Sequence, residues 1–106
     1  MNQFAPRQEP MYFKNLSVQE LINWRHLAKA YIQAADNGWV LKSYGALLNF
    51  CSLAQYCVRK GKNPGALFVH LVSKKEYQAI TDKDEEKGRI ITTNILENDP
   101  TIFQYI

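Results

Sequence analysis

The chain has 106 residues, 46% of them hydrophobic and 22% charged, with a formal net charge of +3 at pH 7. This is one domain's worth of ordinary globular composition, which excludes a disordered chain. The longest apolar runs, residues 66–69 and 39–41, fall far short of the about 20 residues a membrane span needs, so no membrane partner is expected.

Residues 1–16 have Pro6 and Pro10 and no helical period, and read as an N-terminal arm ahead of a single helical domain at 17–106. Met11, Tyr12 and Phe13 are apolar enough to dock on the body. The arm's first ten residues lack the apolar segment of a secretory signal. With only Cys51 and Cys57 as thiols, a cytoplasmic location is expected.

The first helix is predicted at 17–37. Ser17-Val18-Gln19-Glu20 forms a capping box, in which the serine hydroxyl accepts from the Glu20 amide and the carboxylate accepts from the serine amide. Val18, Leu21, Ile22, Ala28, Ile32 and Ala35 follow helical spacing, and Gly38 after Asn37 supplies a left-handed stop. Trp39, Val40 and Leu41 form a short apolar link.

A second helix follows at 43–60. Ala46, Leu47, Phe50, Leu53, Ala54, Cys57 and Val58 make its stripe, widened by Leu48 and Cys51, which marks it as central. Gly61 stops it. Asn63-Pro64 opens a third helix at 64–74, with Leu67, Phe68, Leu71 and Val72 facing the core. Thr81 caps a fourth at 82–97, whose first turns hold Asp82, Asp84, Glu85 and Glu86, read as a solvated acidic cap. Gly88 and the Thr92-Thr93 pair weaken that helix, and Asn98-Asp99-Pro100 ends it. The last residues include Ile102, Phe103, Tyr105 and Ile106, an apolar tail that should pack on the body or join a second subunit. The fold class is therefore all-α, a compact bundle of about four helices.

Catalytic and metal-binding patterns are sparse. Cys51, Cys57, His26 and His70 are the soft ligands, and Cys-x5-Cys-x12-His matches no common zinc spacing. The i,i+6 cysteines lie on different faces of one helix, too far apart to bridge, and read as free, reduced and metal-free thiols. In an apolar stripe such thiols stay protonated and inert. Gly61-x-x-x-Gly65 lacks the Lys-Ser/Thr of a phosphate loop. No cofactor and no enzymatic activity are expected.

Charge is unevenly placed. Residues 1–75 hold ten Lys or Arg against three acids, a net of +7, and residues 76–106 hold three basic and seven acidic residues, a net of −4. Such asymmetry fits a polyanion-binding face, and equally fits charge balance within the molecule. Arg59, Lys60 and Lys62 bracket Gly61 beside the free amides expected at the start of the third helix. Lys74 and Lys75 end that helix, and Arg25 and Lys29 lie one turn apart on the first. Several such cations on one face supply phosphate affinity. Trp24, Tyr44 and Tyr56 could add stacking if exposed.

Residues 59–89 carry a further signal: Arg59-Lys60-Gly61-Lys62-Asn63-Pro64-Gly65-Ala66-Leu67-Phe68, then Leu71-Val72, Ile80-Thr81 and Asp84-Glu85. This segment resembles the C-terminal helical modules of bacterial plasmid and phage replication initiators and helicase-loader-like proteins, where a helix ends in basic residues and an Asn-Pro-Gly/Ala turn opens the next. The resemblance implies an auxiliary module that contacts DNA or a replication partner, and implies no catalytic residue. The leading expectation is thus a small nucleic-acid-associated accessory protein docking Arg59, Lys60, Lys62, Lys74 and Lys75 on phosphates. The alternative is a protein-interaction module, such as an adaptor, an oligomerisation domain or a phage-encoded inhibitor, using the apolar tail and exposed aromatics.

Overall fold

A computed structural model describes residues 11–106, and the reading of residues 1–10 lies outside them. Within that span the chain runs through a 3-10 turn (Met11–Phe13), α1 (Val18–Leu21), α2 (Trp24–Asp36), α3 (Tyr44–Lys60), α4 (Pro64–Lys74), α5 (Asp82–Asn98) and a second 3-10 turn (Pro100–Gln104). All described elements are helical. The Cα radius of gyration is 13.1 Å, that of a compact chain of about 100 residues.

The predicted first helix is two helices. The Ser17 capping box forms, with Glu20 accepting from the Ser17 amide at 2.8 Å. The run then ends after Leu21, because the Asn23 side chain accepts from the Arg25 amide at 2.9 Å and caps a fresh start. The break turns Val18 and Ile22 out to solvent, the latter 50% exposed. The core face of α2 is instead Leu27, Ala28, Ala30, Tyr31, Ala34 and Ala35.

Helix α3 is the centre, as its wide stripe predicts. Leu47, Phe50, Cys51, Leu53, Ala54 and Cys57 are all buried, and its most extensive packing is against α5. Gly88 makes that crossing close. A Cβ there would overlap the Ser52 side chain and also its backbone N and Cα. The glycine that weakens α5 as a helix is what seats it on α3. Cys51 and Cys57 are free and buried, and burial pushes both thiols up to about 12.

Both chain ends described here pack on the body. Phe13 is buried, stacked on Phe68 at 5.8 Å and edge-on to Phe50 at 6.0 Å. Leu16 passes over Gly65, where a Cβ would overlap its carbonyl. The tail folds back onto the same chain. Ile102 is buried, the Tyr105 hydroxyl donates to Asp36 at 3.1 Å, and the Tyr105 carbonyl lies 2.9 Å from the Tyr31 hydroxyl. Phe103 and Ile106 stay at the surface.

Candidate nucleic-acid interface

The basic turn between α3 and α4 has the predicted form. Arg59 and Lys60 occupy the last turn of α3, where the helix dipole favours cations. Gly61 closes the helix at φ 81°, its amide donating to Cys57 at 3.3 Å. Asn63 takes the left-handed conformation at φ 43° and caps α4, with Pro64 following in the first turn. No acidic residue lies in that first turn.

Two features of this turn differ from the expectation of free donors. First, Arg59 is engaged with a carboxylate, although its side chain stays 42% exposed. Its guanidinium clasps Asp84 with two parallel bonds, Nε to Oδ1 at 3.0 Å and Nη2 to Oδ2 at 3.0 Å. Asp84 is only 2% exposed and also accepts from the Thr81 amide and hydroxyl, each at 3.0 Å. It is therefore a buried tie between α3 and α5, not part of a solvated cap. The Arg59 guanidinium, together with the Thr81 donors, holds the Asp84 carboxyl below its ordinary value against the opposing effect of burial. Second, the amides opening α4 are not an open anion nest. Pro64 has no N–H, Asn63 Oδ1 accepts from the Ala66 amide, and Gly65 is buried beneath Leu16.

What remains at the turn is Lys60 and Lys62, both exposed. Arg59 and Lys60 lie over the half-buried Tyr56 ring, at 5.2 and 5.8 Å from its centroid. Beside the turn a groove of about 350 Å³ runs between the docked arm and α4, lined by Asn15, Asn63 and His70 among others. Among the described residues no carboxylate lines it. Lys14 and Lys62, both exposed, are the chain neighbours of the lining residues Asn15 and Asn63. Lys29 lies 5.8 Å from the Tyr12 ring, and His26 Nε2 is 2.8 Å from the Tyr12 carbonyl, so α2 meets the same arm. Arg25 sits over Trp24 at 4.7 Å and is exposed. Lys14, missed by the sequence reading, enters this surface because Phe13 anchors the arm; an apolar Tyr12-Phe13 pair next to a lysine was the available signal.

Lys74 and Lys75 do not join this group. Lys74 is the last of the eleven residues of α4 and Lys75 its C-cap, so both lie at the far end of that helix from Lys62, about 16 Å along its axis at 1.5 Å per residue. Lys75 instead lines a separate apolar cleft with Trp39 and Tyr77. Of the proposed stacking aromatics, Tyr44 is exposed while Trp24 and Tyr56 are half-buried.

Among the described residues no group of three or more His, Cys, Asp or Glu side chains could hold a metal ion, and no helix is long and apolar enough to cross a membrane. No protein-family model matches the chain, and no curated protein or solved structure matches it.

Proposed function

We propose that the protein is a small non-enzymatic accessory protein that binds nucleic acid, with Lys60 and Lys62 of the α3–α4 turn as its principal phosphate contacts. The observation that carries this reading is the electrostatics of the turn. The carboxylate at the turn, Asp84, is neutralised by Arg59, so among the described residues Lys60 and Lys62 are exposed cations with no ion-pair partner, beside a groove that no described acid lines. Lys14, Lys29 and Arg25 extend the cationic surface along the arm and α2. Binding of this kind follows the phosphate backbone and tolerates many sequences. The resemblance of residues 59–89 to replication-associated modules gives it a context in replication or mobile-element biology.

The test is fluorescence anisotropy with labelled duplex and single-stranded oligonucleotides at low salt. The Lys60→Gln/Lys62→Gln protein should bind more weakly than wild type without loss of stability. Arg59→Gln should do the reverse, lowering the melting temperature and leaving affinity unchanged. Wild-type protein that binds no oligonucleotide ends the reading. One observation favours the alternative, a protein-interaction module: the apolar cleft at Lys75.

A further inference from the structure

Helix α5 turns one face inward and leaves the other bare. It buries Asp84, Gly88, Ile91, Thr92 and Ile95 towards the body. At 3.6 residues per turn the opposite side presents Lys83, Glu86, Ile90, Thr93 and Glu97, all of them exposed. Ile90 is 62% exposed and stands at the midpoint of the Asp82–Asn98 helix. With Glu86, Arg89, Thr93 and Asn94 it lines a shallow depression of about 460 Å³. Glu86, Arg89, Ile90 and Thr93 are at i, i+3, i+4 and i+7, the four positions that form a hole for a side chain when helices pack.

The charges of this face suit a second helix better than the one that carries them. Lys83 stands in the first turn of α5, where the helix dipole disfavours a cation, and Glu97 in the last, where it disfavours an anion. Among the described residues neither makes an ion pair, nor do Glu86 and Lys87, whereas Arg89 is paired with Glu85 at 2.7 Å.

Lys83 and Glu97 are each seven residues from Ile90. Seven residues is close to two turns, so both share the face of Ile90, about 10 Å along the axis to either side. An antiparallel copy related by a twofold axis at Ile90 therefore sets Lys83 level with the partner's Glu97, once at each end. Each of these charges then sits at the end of the neighbouring helix whose dipole favours it. Glu86 falls level with the partner's Asn94, and Lys87 with the partner's Thr93. A parallel copy would instead oppose lysine to lysine and glutamate to glutamate.

We propose that α5 pairs antiparallel with α5 of a second copy of this chain, centred on Ile90, to form a symmetric dimer. A twofold interface must be self-complementary, and the order of charges along this face is. One helix face is a small contact, so the dimer is weak and reversible. It uses α5 alone and does not depend on nucleic-acid binding.

Sedimentation equilibrium of the full chain, without nucleic acid, from about 10 μM to about 1 mM tests this over the range where so small an interface would act. Wild type should pass from monomer to dimer with a dissociation constant on the order of 100 μM. Ile90→Asp, at an exposed position, should remain monomeric with its melting temperature unchanged. Lys83→Glu and Glu97→Lys should each weaken self-association about tenfold. Neither should lower the melting temperature, because each reversal suits the dipole of its own helix. An equimolar mixture of these two variants should form the dimer that each alone forms poorly, since opposite charges then meet at both ends. Wild type that stays monomeric throughout, a dimer that survives Ile90→Asp, or a mixture no heavier than the separate variants would overturn the proposal.

Discussion

Asp84 accepts from Arg59 and Thr81 while almost wholly buried, so its ionisation is linked to folding. Its folded carboxyl titrates below the ordinary value, and the unfolded chain protonates it near about pH 4. The stabilisation is therefore complete above that pH and is lost as pH falls from there through the lower folded value. Glu20, held by the Ser17 amide, shifts in the same direction. Asp84→Asn should reduce stability at neutral pH by about 1–3 kcal/mol, since it unbalances buried donors. It should also flatten the acid limb of the stability curve, so that mutant and wild type converge as pH drops. Thermal melts from about pH 7 to about pH 3 check this, and curves that stay parallel would show that the clasp adds nothing. The Thr81 cap itself was legible in the sequence. Its carboxylate's partner was not, because Arg59 lies on another helix and reads locally as a dipole cap.

At the level of elements, local chemistry carried most of the fold. Ser17, Ser43, Asn63 and Thr81 all cap helices, and Gly38 and Gly61 take positive φ where helices end. The Asn23 break was hidden because the apolar period of residues 18–35 runs through it, although an asparagine two residues before Arg25 is a legitimate cap signal. Gly88 shows the other limit. Helix propensity alone says that Gly88→Ala gains about 1 kcal/mol. The crossing with α3 says the opposite, because the new methyl meets Ser52 backbone that no rotamer change can move. Overpacking of this kind costs about 1–3 kcal/mol, so the net effect should be destabilising or a displacement of α5. Urea unfolding measures it, and a higher midpoint for Gly88→Ala would mean that α5 does not sit so close to α3.

Across the whole molecule, the sequence foretells many cations but not their grouping. Folding separates several of them into the basic turn with the arm, the apolar cleft, and the Arg59–Asp84 clasp, and the first of these is the surface proposed to meet phosphate. The apolar tail packs partly on the same chain through Ile102 and Tyr105, while Phe103 and Ile106 stay at the surface. The salt dependence of oligonucleotide affinity is the most direct measure of that division, because each phosphate contact on duplex DNA adds about 0.9 to the slope of log affinity against log salt. The Lys60→Gln/Lys62→Gln protein should show a slope smaller than wild type by about two contacts' worth, and Arg59→Gln a slope unchanged. A wild-type slope near zero, or an Arg59→Gln loss as large as that of the lysines, would contradict the assignment of the α3–α4 turn as a nucleic-acid contact.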